Sequence, residues 1–261
     1  MSTLLRVGAF GAVLVAIFAT AYGVGRAVDE DPPTYAMKVV GESPVGFRIE
    51  KDGEPVTRFA LRHEKRLHLI AVRDDFTGFR HVHPTMAADG TWTSDLDLGP
   101  GTWRLYGDYQ PTGEANRVSS ATVTVDGWDR KAAPPEVARS ASVDGYDVTL
   151  TGDLAAGGEG TMLELAVTRA GKPVTLQPYL GAFGHLVVLR GTDMKYLHVH
   201  PEESAATEPI PFHVEVPTAG RYYLYLDFQV EGVVRTATFV LEAEKAASDH
   251  GETGGMEHGD H

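Results

Sequence analysis

The chain has 261 residues, a formal net charge of -13 and no cysteine. This length accommodates two domains of ordinary size with additional tails. The acidic balance argues against nucleic acid as a partner, because phosphate binding requires basic patches. The lack of cysteine excludes disulfides, thiolate metal sites and blue-copper centres.

The chain begins with a segment that is typical of membrane targeting. Arg6 precedes an uncharged, apolar run at 7–25, and Asp29-Glu30-Asp31 follows it. A run of this length can just cross a hydrocarbon core, and the positive charge favours the cytoplasmic side for its N-terminus. We therefore predict a single-pass membrane anchor at 1–28, with the body of the protein outside the cytoplasm. The alternative is a cleaved signal peptide and a secreted protein, since Ala19-Thr20-Ala21 fits a cleavage pattern.

Changes in composition divide the rest of the chain. Residues 127–139 contain Pro134-Pro135 and mixed charges, which predicts a linker between module 1 at 35–126 and module 2 at 140–243. Each module has about seven short apolar or alternating runs separated by turn residues. Helical periodicity is nearly absent outside the anchor. We predict an all-β fold of two tandem Ig-like β-sandwich modules, with an N-terminal transmembrane helix and a disordered C-terminal tail at 244–261.

The two modules arise from an internal duplication. Gly53-Glu54-Pro55-Val56-Thr57 matches Gly171-Lys172-Pro173-Val174-Thr175, and the strand that begins at Gly101 matches the strand that begins at Gly220. We expect the first pair of turns to lead into strands at 56–61 and 174–176.

Histidine spacing is the clearest sign of the duplication. In each module a histidine opens an apolar run, and a His-Val-His-Pro segment follows thirteen residues later. The histidines at these positions are His68, His81 and His83 in module 1, and His185, His198 and His200 in module 2.

A hairpin brings these histidines together. Residues i and i+2 of a strand share a face, so His81 and His83 point the same way. If Val72 pairs with Phe79, His68 lies opposite His83, about 5 Å away between Cβ atoms. The same construction in module 2 places His185 opposite His200. Three imidazoles on one face suit zinc or copper, with a fourth position open. The alternative is a buried hydrogen-bonding cluster without metal.

Other side chains are candidates for auxiliary roles. Oxygen ligands or hydrogen-bond acceptors could come from the repeated strand, which carries Asp108, Gln110, Asp227 and Gln229. His63 has no clear counterpart in module 2 and is expected in a loop, with a possible part in the first site. The tail combines histidine, methionine and acidic residues in a glycine-rich stretch typical of weak metal binding, and its candidates are His250, Met256, His258 and His261. His213 alternates with apolar residues and is expected to be exposed.

The sequence favours metal binding over catalysis, because it contains no phosphate loop, dinucleotide motif, nucleophile elbow or His-Glu-x-x-His segment. We expect an extracytoplasmic protein that binds copper or zinc as a buffer, scavenger or chaperone. Its partner would be a membrane metal exporter or another cell-envelope protein. The competing hypothesis is a non-catalytic structural or protein-interaction module in which the histidine repeats are structural.

The repeated segments also resemble those of a known protein family. The segment His68-Leu69-Ile70-Ala71-Val72-Arg73 with His81-Val82-His83-Pro84, and its copy from His185 to Pro201, are similar to those of bacterial, largely actinobacterial, secreted or membrane-anchored proteins. The resemblance covers about residues 35 to 243. It implies an extracytoplasmic β-sandwich protein linked to the handling of heavy metals, especially copper.

Overall fold

The computed structural model describes residues 33–42, 45–129, 131–197 and 199–245, which form twenty β-strands and no helix. No helix long and apolar enough to cross a membrane occurs within these ranges. The anchor predicted at 1–28 and residues 246–261 of the predicted tail lie outside the described residues. The disordered tail predicted from residue 244 is wrong for Glu244 and Lys245, which belong to the last strand of module 2.

Module 1 is a sandwich of two antiparallel sheets. In chain order its strands are β1 (Tyr35–Glu42), β2 (Val45–Lys51), β3 (Glu54–Pro55), β4 (Leu67–Arg73), β5 (Phe79–Val82), β6 (Thr85–Met86), β7 (Thr91–Ser94), β8 (Gly101–Tyr109) and β9 (Arg117–Val125). The outer sheet has the order β1-β2-β7-β6, with β3 paired to β2, and the inner sheet has the order β5-β4-β8-β9.

Module 2 repeats this architecture with two additional strands. In chain order its strands are β10 (Ser140–Val143), β11 (Tyr146–Thr151), β12 (Ala155–Ala156), β13 (Thr161–Arg169), β14 (Lys172–Pro173), β15 (Gly184–Arg190), β16 (Tyr196–Leu197), β17 (His200–Pro201), β18 (Ile210–Val214), β19 (Gly220–Val230) and β20 (Val233–Lys245). The outer sheet is β10-β11-β13-β18-β17 with β14 paired to β13, and the inner sheet is β12-β20-β19-β15-β16. The prediction of two tandem β-sandwiches in an all-β chain is therefore confirmed.

The inner sheets are covered on both faces. Strand β11 in an outer sheet alternates buried and exposed residues, whereas β4 and β15 each contain six consecutive buried residues. In β4, Leu69 and Ala71 belong to the core of module 1, while Ile70 and Val72 join a separate cluster that includes Val187 of module 2. Because side chains alternate between the faces of a strand, the two inner sheets pack against each other.

The contact between the inner sheets is reciprocal. Phe79 of module 1 stacks on Tyr225 of module 2, with ring centroids 4.3 Å apart. In the equivalent pair, Tyr196 belongs to module 2 and Tyr106 to module 1, and their ring centroids are 5.7 Å apart. The Tyr225 hydroxyl donates to the carbonyl of Phe76, and the Tyr106 hydroxyl donates to a carbonyl of module 2. The modules therefore associate like the two subunits of an isologous dimer.

Two of the predicted strands are wrong. The structure has no strand at 56–61 or at 174–176, and β3 and β14 end at the prolines that precede these segments. Phe59 is buried and forms an isolated bridge with Pro111, next to the end of inner strand β8. These segments therefore cross from the outer sheet to the inner sheet. Strand β7, which was not predicted, carries the buried Trp92.

Tyr225 is expected to make a large contribution to the association of the modules. It is 1% exposed and contacts module 1 through both its ring and its hydroxyl. Tyr225→Ala should lower the free energy of unfolding by about 3–5 kcal/mol, as other buried aromatic truncations do. Urea unfolding would measure this. The exposed Val233→Ala, on the same sheet, should stay within about 0.5 kcal/mol of the unmodified chain, and equal losses in both variants would contradict the assignment.

Candidate metal centre

The hairpin of β4 and β5 sets the positions of the histidines of module 1. Val72 pairs with Phe79 and Ile70 pairs with His81, as predicted from the sequence. His68 shares the face of Ile70, which points toward module 2, and His83 follows the end of β5. All three imidazoles therefore lie beside the contact between the inner sheets.

The three side chains converge on one point. His68 Nδ1 lies 3.1 Å from His81 Nε2 and 3.2 Å from His83 Nε2. One ligand atom of each histidine lies within 4.8 Å of the others. Nitrogens that share a tetrahedral metal at about 2.0 Å are about 3.3 Å apart. The group could therefore hold a metal ion with little rearrangement.

Hydrogen bonds to the outer ring nitrogens assign the tautomers of two of these histidines. His68 Nε2 lies 3.1 Å from the carbonyl oxygen of Arg62, which can only accept, so this nitrogen carries the proton. His81 Nδ1 likewise donates to Asp227 Oδ2 at 2.7 Å. When both rings are neutral, the remaining nitrogens, His68 Nδ1 and His81 Nε2, face each other as lone pairs. Outer carboxylate and carbonyl partners of this kind are typical of histidine metal ligands.

The facing nitrogens of His68 and His81 could be satisfied by a metal ion or, in part, by other hydrogen bonds. In a neutral cluster, a proton on His83 Nε2 could be donated to His68 Nδ1, which would satisfy one of the two lone pairs. The His81 side chain is 5% exposed, so bulk solvent has little access to the other lone pair. A cation bound by all three nitrogens satisfies every lone pair, which favours the metal site.

Asp227 connects the modules at this point. It is 3% exposed, lies in β19 of module 2, and accepts hydrogen bonds from His81 and from the Thr236 hydroxyl. The aspartate that was predicted as an auxiliary residue of module 2 thus contacts a histidine of module 1.

His185 lies in the same cluster rather than apart from it. Its ring centroid is 6.4 Å from that of His68 and 5.4 Å from that of His63. Its Nε2 donates to the Tyr179 carbonyl at 2.7 Å, as His68 Nε2 does to Arg62. The group of mutually close ligand atoms consists of His68, His81 and His83 and does not include His185.

The second cluster predicted for module 2 is described only in part. His198 and the side chain of His200 lie outside the described residues. Strand β16 pairs with β15 only through Leu197 and Tyr196. The register of β15 and β16, with Leu189 opposite Tyr196, is the one predicted, and His200 itself pairs with His213 of the outer sheet. The chain leaves the inner sheet here to begin the outer one.

The auxiliary candidates have different surroundings. Asp108 is buried, accepts from Asn116 and from the Tyr196 hydroxyl, and lines a cavity with His68 and His81. Gln110 donates instead to the Glu114 carbonyl.

Gln229 pairs with Val234 in the ladder of β19 and β20. His213 is exposed, as expected. The tail candidates lie outside the described residues, and these are His250, Met256, His258 and His261.

His63 joins the cluster from a tight turn. It has a φ of 45° and lies edge-on to both His68 and His185. The corresponding turn in module 2 places Leu180 at this position, with a φ of 54°. Histidine spacing gave no strong signal for His63, because the repeat contains a leucine there.

Burial keeps His68, His83 and His185 neutral. Desolvation, followed by the proximity of His81, lowers the pKa of His68 to about 4 and that of His83 to about 3. Desolvation also lowers the pKa of His185 to about 4. Neutral imidazole is the form that binds metals, so at neutral pH these side chains are ready to serve as ligands.

The same pKa values predict how the metal-free protein responds to acid. These histidines protonate near pH 6.5 in the unfolded chain but only near pH 3–4 when folded. The unfolded state therefore binds more protons below pH 6.5, and the free energy of unfolding should fall as the pH falls. The loss is about 2 kcal/mol per group between pH 6.5 and 5, and it levels off below the folded pKa.

Urea unfolding of the metal-free protein at pH 7, 6 and 5 would measure this effect. His68→Gln should have a shallower pH dependence, whereas the exposed His213→Gln should match the unmodified chain. Equal stability at pH 7 and pH 5 would contradict the prediction.

Comparisons with known proteins define the repeat. A family described as Domain of unknown function (DUF8832) matches residues 33–127 and again residues 141–245. Among solved structures, a chimeric titin Z1Z2-Z1Z2 tandem functionalized with a GRGDS peptide from fibronectin aligns with 13% identity, over 82% of this chain and 100% of that chain, at a TM-score of 0.19. No curated protein matches. The two family matches coincide with the two sandwiches, which confirms the duplication.

Proposed function

The chain belongs to the family of the domain of unknown function DUF8832, and we propose that it binds one transition-metal ion, copper or zinc, at the contact between its two modules. The observation that supports this proposal is the convergence of His68 Nδ1 and His81 Nε2, whose opposite ring nitrogens are both occupied by hydrogen-bond acceptors. His83 Nε2 supplies the third ligand atom.

The donor set favours copper or zinc over the harder cations. Imidazole suits zinc and copper, whereas magnesium and calcium prefer oxygen ligands. The chain has no cysteine to supply a thiolate. Three protein ligands leave one coordination position open to a water or another exogenous ligand, as in zinc sites that exchange that ligand.

A role in metal handling fits this chemistry. We propose a buffer, scavenger or chaperone outside the cytoplasm, held at the membrane by residues 1–28 or secreted after cleavage. The partner would be a metal exporter or another cell-envelope protein. Histidines of the tail would collect ions weakly and deliver them to the buried group, because flexible tracts rich in histidine bind metals adaptably.

Titration of the full chain with zinc and copper, against a competing chelator, tests this function. A variant with His250, His258 and His261 all changed to alanine separates the buried group from the tail. We expect one tight equivalent in both proteins, with only weak additional binding lost in the variant. Loss of all tight binding in the tail variant would contradict the proposal and favour a structural role for the buried histidines.

A further inference from the structure

A small cavity adjoins the three-histidine group between the modules. Its volume is about 30 Å³, and its walls include His68, His81, Asp108, His185, Ile70 and Val187. About 10–15 Å³ of such space is enough to hold one water, so the cavity has room for a water molecule.

The polar walls of the cavity can hold such a molecule. An ordered water needs two to four polar partners. His185 Nε2 donates a hydrogen bond to the Tyr179 carbonyl. Nδ1 is therefore the ring atom that can accept a hydrogen bond from a water. The Asp108 carboxylate also lines the cavity, with its two oxygens bonded to Asn116 and to the Tyr196 hydroxyl. Ile70 and Val187 close the apolar side.

His185 is placed to contact a ligand of the metal rather than the metal itself. Among the described residues, the set of ligand atoms that lie within 4.8 Å of one another belongs to His68, His81 and His83. The rings of His185 and His68 are nevertheless only 6.4 Å apart between centroids. A metal-bound water lies about 2.0 Å from the ion and donates a hydrogen bond over about 2.8 Å. One such water can therefore link an ion held by His68 to the ring of His185.

We propose that the cavity is the exogenous-ligand site of the metal centre, that it holds a single metal-bound water, and that His185 accepts a hydrogen bond from that water. This inference rests on the proposed function of the three-histidine group. It assigns His185 of module 2 as a residue that positions the metal-bound water.

Pulsed electron paramagnetic resonance on the full chain with one equivalent of Cu²⁺, in water enriched in oxygen-17, tests the proposal. The expected spectrum shows coupling to three imidazole nitrogens and to one oxygen-17. Val187→Met fills the cavity without touching a ligand and should remove the oxygen-17 coupling, while one equivalent of copper still binds. His185→Ala should keep three imidazole nitrogens, and the exposed His213→Ala should leave the spectrum unchanged.

Two results would overturn the inference while leaving the proposed function intact. One is bound copper without oxygen-17 coupling in the unmodified chain. The other is loss of an imidazole nitrogen in His185→Ala, which would make His185 a ligand. If Val187→Met does not fold, His185→Ala still tests whether His185 is a ligand of the metal. Absence of copper bound by the three histidines would instead refute the proposed function and this inference together.

Discussion

Replacement of His83 by alanine is expected to abolish tight binding of copper or zinc. His83 Nε2 is one of three nitrogens that converge on a single point, and its removal leaves two imidazoles. Loss of an outer partner alone commonly costs 10–100-fold in metal affinity, so loss of a ligand should exceed about 100-fold. Competition titration with a chelator would measure the change.

Thermal unfolding provides an independent measure of the same effect. Metal at about 1,000 times its Kd should stabilise the unmodified chain by about 4 kcal/mol. The melting temperature of His83→Ala should not respond to metal at the same concentration. His213→Ala, which removes an exposed histidine from outer strand β18, should retain the full response. An undiminished response in His83→Ala would contradict the ligand assignment.

Substitution of Asp227 by alanine is expected to weaken metal binding by about 10–100-fold, although Asp227 lies in module 2 and is not a proposed ligand. Its carboxylate holds the proton of His81 on Nδ1 and thereby presents Nε2 to the metal. Without this acceptor the ring loses its fixed tautomer and orientation. The affinity of zinc for the full chain, measured by competition, tests the effect.

Glu242→Ala is the matched control for the loss of negative charge. Glu242 lies on β20 and pairs with Arg221 at the surface. Its replacement should change the affinity by no more than a few-fold, because exposed charges are screened by solvent and salt. Equal affinities of Asp227→Ala and the unmodified chain would show that the modules are not coupled through His81.

The hairpin geometry could be predicted from the sequence because it depends on local rules. The pairing of Val72 with Phe79 follows from a short loop between two apolar runs, and the period of two in a strand then places His68, His81 and His83 on one face. The duplication was equally visible in the repeated spacing.

The position of the cluster between the modules could not be predicted in the same way. Strand periodicity shows which side chains share a face, but it does not show what covers that face. A signal was present in the inner strands, since Leu67 to Val72 and Gly184 to Leu189 are almost continuously apolar. Such runs are typical of strands buried on both faces. The contact of His81 with Asp227 joins residues 146 positions apart and depends on the docking of the modules.

X-ray absorption of the zinc-loaded full chain tests the central claim most directly. We expect three imidazole nitrogens at about 2.0–2.1 Å and one oxygen ligand, with one imidazole lost in His83→Ala. A first shell dominated by oxygen, or an imidazole count that is the same in both proteins, would contradict a metal centre built from His68, His81 and His83.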